Sequence, residues 1–137
     1  MALVLDASMA LAWLFGDEGS EGAEKAFDRV SIDGAIVPVL WWLEVVSALQ
    51  NAVRRNRCDA PYVDRSLDRL RRMRISTDDE TARHAWTTTL ALSREEGLTC
   101  YDASYLEVAI RRQLPLASGD ARLVEAAIRR AVPVMVL

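Results

Sequence analysis

Four carboxylates stand alone in otherwise uncharged stretches of the chain. Asp6 is the only charged residue between Met1 and Gly16, Glu44 the only one between Ala35 and Val53, and Asp120 the only one between Gln113 and Ala121. Asp102 shares the stretch Gly97–Ile110 with Glu107 alone. A lone carboxylate among apolar neighbours is costly to bury unless something compensates its charge. Four of them in one crevice would repel each other, and a hard divalent cation relieves that repulsion. Mg²⁺ and Mn²⁺ prefer such oxygen ligands to nitrogen or sulfur. A cation held this way can activate a water and neutralise charge on a phosphate, and two ions about 3.5–4 Å apart would divide those tasks. The residues leave one ion or two open.

Each acid also has an ordinary reading. Asp6 and Asp120 suit a turn or a helix N-cap. Asp102 suits the first turn of a helix, where a negative charge meets the positive end of the helix dipole. Glu44 would be a solvated helix residue, were its neighbours not Trp41, Trp42, Leu43, Val45 and Val46. The coincidence of all four carries the metal reading. Ser8 and Ser118 lie two positions from Asp6 and Asp120. Their hydroxyls either orient a carboxylate or a metal-bound water, or simply cap and turn the backbone. Glu107 lies five residues after Asp102, off its helix face, and reads as a peripheral ligand or an ordinary solvated residue. His84, the sole histidine, has no partner at ligand spacing. Asp17, Glu18, Asp78, Asp79, Glu95 and Glu96 read as solvated surface acids.

The elements that must position these groups follow from periodicity and punctuation. Leu3-Val4-Leu5 is a short apolar run ending at Asp6, the mark of a buried strand. Ser8 is placed to cap a helix running to about Phe15, which Gly16 stops. Further helices are expected over Gly19–Arg29, Leu40–Arg55, Ala60–Arg72 behind an Asp59 cap, and from the Thr77–Glu80 capping box to about Glu96, where Gly97 ends it. Two more follow, from Thr99 to Arg112 and from Asp120 to Arg130. Strands are expected at Ala35–Val37, around Ile75, at Leu114–Ser118 and at Val132–Leu137. Alternating strands and helices, with about 60% helix, imply a parallel sheet covered on both faces, a three-layer α/β/α architecture. Asp6 and Asp120 then lie at the carboxyl ends of strands, where open parallel sheets collect ligands. Asp102 and Glu44 lie at helix starts on the same edge.

Composition sets the limits. With 137 residues, 51% of them hydrophobic and 27% charged, the chain suits one globular domain over residues 1–137 and excludes intrinsic disorder. The net charge of −3 gives no general signal for polyanion binding. Arginine clusters nonetheless, at Arg54, Arg55 and Arg57, at Arg69, Arg71, Arg72 and Arg74, and in the pairs Arg111–Arg112 and Arg129–Arg130. These are either bidentate phosphate ligands or helix C-terminal charges facing water. Cys58 and Cys100 lack metal spacing, and with no basic leader before the apolar N-terminus a cytoplasmic setting is expected. The apolar stretch Ala35–Leu43 is too short to span a membrane. Four tryptophans, Trp13, Trp41, Trp42 and Trp86, suit either core packing or partner anchors.

Together, Val4-Leu5-Asp6-Ala7-Ser8, Glu44 early in its helix, Leu98 to Leu106 around Asp102, and Leu116 to Leu123 around Asp120 resemble the PIN domain family. In length and order they resemble its VapC toxins. The resemblance implies a Mg²⁺- or Mn²⁺-dependent endoribonuclease with Asp6, Glu44, Asp102 and Asp120 as its acidic residues. It implies a structured RNA substrate such as transfer or ribosomal RNA, a homodimer, and inhibition by a VapB antitoxin. Ser118 stands where the family has a small hydroxyl residue. Gly119 replaces a bulkier one, which would loosen that loop. Two other classes stay open. A different metal-dependent phosphohydrolase would also place Asp at strand ends, but Lys25 is the sole lysine for a receiver-type site, and Ser8 stands where a dehalogenase-type phosphatase has a second Asp. A non-catalytic PIN-like binding module would tolerate loss of the acids, which are intact.

Overall fold

The computed structural model describes residues 1–16 and 20–137. Asp17, Glu18 and Gly19, read from the sequence as two surface acids and a helix start, lie outside the described residues. Five parallel strands form the sheet: β1 (Leu3–Leu5), β2 (Ala35–Val37), β3 (Ile75–Thr77), β4 (Leu116–Ala117) and β5 (Val134–Met135), in the order β3-β2-β1-β4-β5. The helices are α1 (Ala7–Leu14), α2 (Glu21–Asp33), α3 (Leu40–Arg54), α4 (Ala60–Arg71), α5 (Thr81–His84), α6 (Leu90–Glu96), α7 (Cys100–Arg112) and α8 (Ala121–Arg129). A π-helical turn, Ala85–Thr89, joins α5 to α6. No helix among the described residues is long and apolar enough to cross a membrane.

Strand order fixes the layers. From β1 the chain steps outward to β2 and β3, then returns past β1 to β4 and β5. Parallel crossovers are almost always right-handed. Steps in opposite directions therefore put α1–α4 on one face and α5–α8 on the other. The strand order reverses between β1 and β4, and at such a switch point a crevice opens beyond the carboxyl ends of the strands. β1 is the centre of the core, with Leu3, Val4 and Leu5 all at 0% exposure. A strand covered on both faces must be apolar at every position rather than alternating. Trp41, Met9, Leu106, Leu116 and Leu123 are buried around it.

Several boundaries differ from expectation, each for a local reason. The residue in N-cap position of α1 is Asp6, without a side-chain cap bond, and Ser8 lies inside the helix. α2 is capped by Ser20, whose Oγ accepts from the Ala23 amide at 3.1 Å, and it runs on to Asp33. The long helix expected from the capping box starts only at Thr81, because β3 takes Ile75–Thr77 into the sheet. β4 and β5 are two residues each, shorter than the apolar runs that contain them.

Two glycines permit close approaches. A Cβ on Gly22 would lie 1.8 Å from the Val136 carbonyl oxygen, so the start of α2 packs directly on the backbone after β5. A Cβ on Gly119 would lie 2.4 Å from Leu137 Cδ1. The Leu137 side chain thus occupies the space that a bulkier residue at this position would take.

Candidate active site

Asp6 follows β1 directly and is 5% exposed. Two hydroxyls converge on its Oδ2: Ser8 Oγ donates at 2.6 Å and Ser118 Oγ at 2.8 Å. Each serine in turn accepts a backbone amide from the β4–α8 loop, Ser8 from Gly119 at 2.9 Å and Ser118 from Asp120 at 3.0 Å. An amide can only donate. Each hydroxyl must therefore spend its single proton on Asp6, and the carboxylate is held as an acceptor. The serines are orienting groups of Asp6, and Ser8 is not a helix cap.

Asp120 caps α8, its Oδ1 accepting from the Arg122 and Leu123 amides at 2.9 and 3.2 Å. The capping role thus occupies one oxygen of this carboxylate. Asp102 sits in the first turn of α7, whose cap Thr99 accepts the Asp102 amide at 3.1 Å. Glu44 is half-buried in the second turn of α3, and its Oε1 accepts a short hydrogen bond from the hydroxyl of Tyr105. Tyr105 is fully buried on α7. Burial, the bond to Glu44 and the charges of Asp6 and Glu44 push its ionisation far above the usual tyrosine range, so it remains a donor.

Asp6, Glu44 and Asp102 each feel the charge of neighbouring acids. Burial raises the pKa of Asp6, the Ser8 and Ser118 hydroxyls counteract it, and the charges of Asp102 and Asp120 raise it further. Burial raises Glu44, opposed by the Tyr105 hydroxyl and reinforced by Asp6 and Asp102. Burial and then Asp120 raise Asp102, opposed by Thr99. The fold thus places Asp6 and Asp102 within electrostatic reach of Glu44, and Asp120 within reach of Asp6 and Asp102, beyond the ends of β1 and β4.

Among the described residues no three His, Cys, Asp or Glu side chains already form a cage around an ion position. The donor chemistry nonetheless fits a hard cation. Every candidate ligand is a carboxylate, and one oxygen each of Asp6, Glu44 and Asp120 is tied down by hydroxyls or amides. The other oxygens remain for a cation, which would relieve the repulsion.

Several residues read as solvated are not. Asp78 has no exposed side-chain surface and accepts from Arg111 at 2.7 and 3.1 Å, Arg112 at 2.7 Å and Thr81 at 2.6 Å. Burial works against its charge, but the bonds from Arg111, Thr81 and Arg112 outweigh it and hold its carboxyl well below the usual range. Glu107 is 1% exposed and both its oxygens bind Arg111. It belongs to this ion-pair network and not to the acid crevice. Glu96 is held by Arg129 and Arg130. The pairs Arg111–Arg112 and Arg129–Arg130 are thus committed to structural ion pairs. His84 ends α5, half-buried. The tryptophans divide: Trp41 is core, Trp13 donates to the Ala23 carbonyl, Trp42 bonds Thr77, and Trp86 is 91% exposed on the π-helical turn. Tyr105 is the site residue that sequence reasoning missed. Its apolar surroundings look like core, and its partner is 61 positions away.

Comparison with known proteins agrees with this architecture. The crystal structure of PAE2754 from Pyrobaculum aerophilum superposes with a TM-score of 0.71 over 98% of this chain and 84% of that one, at 24% identity, which speaks to the fold. No curated protein sequence matches. The family model for the PIN domain matches residues 3–129, and PIN domains are in general metal-dependent nucleases. With the match running from the first strand to the last helix, the chain belongs to the PIN domain family.

Proposed function

We propose that the protein is a Mg²⁺- or Mn²⁺-dependent endoribonuclease that cleaves structured RNA, transfer or ribosomal RNA in class, and serves as the toxin of a type II toxin–antitoxin pair. The observation that carries the nuclease reading is the meeting of Asp6, Glu44, Asp102 and Asp120 at the β1/β4 switch point, each destabilised or oriented by the others and by fixed donors. In this reading Asp6, Asp102 and Asp120 hold the cation, and Glu44 holds it or orients the attacking water. The cation supplies an activated water and charge neutralisation at the phosphate. The chain's own contribution is alignment. Ser8 and Ser118 fix Asp6, and amides fix Asp120.

Protein partners are part of the proposal. Val39 and Leu43 are 62% and 71% exposed beside Glu44, and Trp86 projects from its turn. Large exposed apolar residues of this kind suit a homodimer interface, which sedimentation of the native chain against Leu43→Asp tests. A cavity of about 620 Å³ between α1, α2 and α4, lined by Trp13 and Phe27 together with Glu21, Glu24, Asp28 and Arg69, suits an amphipathic segment of an antitoxin.

The decisive assay is digestion of a structured RNA with Mg²⁺ or Mn²⁺, run against EDTA and against Asp6→Asn. Cleavage is expected with metal and lost in both controls. Cleavage unchanged by both would sink the mechanism.

A further inference from the structure

We infer that Tyr105 is a positioning residue for Glu44, presenting one carboxylate oxygen to the cation crevice by holding the other. The inference rests on the metal-site reading above and adds to it a residue outside the acidic set.

Glu44 needs such a device more than the other acids do. Asp6 and Asp120 have short side chains that follow strand ends and are pinned by hydroxyls or amides. Glu44 has a longer side chain with more rotamers to fix, on a helix that packs mainly against α1 and α4. Ordering a glutamate costs rotamer entropy. A cation that must order its own ligand binds correspondingly more weakly.

Tyr105 supplies the order in advance. Its ring is fully buried, on the helix that packs against β1 and β4. Its hydroxyl donates to Glu44 Oε1, and the Ala7 backbone lies close enough to act on the same hydroxyl. Ala7 follows Asp6 directly. The hydroxyl thus sits between Glu44 and the β1–α1 junction that carries Asp6. Among the described residues this is the one side-chain hydrogen bond between α3 and α7. A buried tyrosine must satisfy its hydroxyl, and here the group that does so is the glutamate of the acidic set.

The test is calorimetric titration of the full chain with Mn²⁺ alone, for the native protein, Tyr105→Phe, Glu44→Gln and the double variant, each with a thermal melt. Partners that orient metal ligands typically contribute 10- to 100-fold in metal affinity. Tyr105→Phe keeps the buried ring and is expected to weaken Mn²⁺ binding about tenfold while the metal-free protein stays folded. In the Glu44→Gln background the same change is expected to add no further loss, because Tyr105 acts through Glu44. Native affinity in Tyr105→Phe, or an equal loss with Glu44 already replaced, would overturn the inference and leave the metal site standing. A native chain that binds no Mn²⁺ would overturn both.

Discussion

Asp102 carries its charge at a cost in the metal-free protein. Burial and the neighbouring Asp120 raise its pKa in the fold. A raised carboxyl stabilises the fold fully below its unfolded value, about 3.9, and that stability is lost as the pH rises through the folded value. At neutral pH the charge therefore works against folding, and Asn would remove the penalty. Asp102→Asn is expected to melt roughly 2 to 6 °C above the native chain at pH 7 without metal, with the gap closing near pH 4. It should also lose the Mn²⁺-dependent rise in melting temperature that the native chain shows through mass action. A lower metal-free melting point would contradict this account. The residue scale was the most legible in the sequence. Asp6 and Asp120 follow apolar strands directly, so their place at the sheet edge could be read from adjacent residues. Ser118 was legible for the same reason. Asp78 was not, since Asp79 and Glu80 beside it give the look of a solvated acidic run, and nothing local points to Arg111 and Arg112, 33 and 34 residues on.

At the scale of elements, the Asp78 network ties the edge strand β3 to the far end of α7. Arg111 is 18% exposed and shared by Asp78 and Glu107, two carboxylates with almost no exposed surface. Removing one partner from a buried ion pair leaves uncompensated charge and typically costs 3–5 kcal/mol. Arg111→Ala leaves two such carboxylates, although Arg112 still reaches Asp78. A loss of about 3–5 kcal/mol at pH 7 is expected by urea unfolding. The pH dependence has a definite sign. Asp78 has a depressed pKa, so its contribution is present above the unfolded carboxyl value and fades as the pH falls through the folded one. The gap between variant and native chain should therefore narrow in strong acid. A gap that is constant or widens in acid would assign the loss to packing instead. Element types were largely legible from periodicity. The π-helical turn was not, because one added residue per turn leaves no sign in a pattern of apolar and polar positions. The lengths of β4 and β5 were not legible either, because apolar residues flanking a strand are buried whether or not they pair.

For the whole molecule, the order β3-β2-β1-β4-β5 puts the acid crevice between the centre of the sheet and its weaker side. Strand alternation implied a parallel sheet, but strand order depends on which crossover reverses, and no local pattern encodes that. The order has a consequence for how the molecule opens. The amides of Leu116 and Ser118 donate into β5, to the carbonyls of Pro133 and Met135, whereas those of Val4 and Asp6 donate to the carbonyls of Pro115 and Ala117. β5 is a half-buried, two-residue edge strand, the kind of element that detaches at low free energy in native-state hydrogen exchange. When it detaches, Leu116 and Ser118 lose their acceptors together while Val4 and Asp6 keep theirs. Exchange of the first pair is expected to share one opening free energy, below that of the second pair. Equal protection of all four amides would show that β5 leaves only with global unfolding. The loop that gives Asp6 its second hydroxyl would thus breathe with the last strand, so solvent conditions that fray one edge of the sheet would also change the readiness of the crevice.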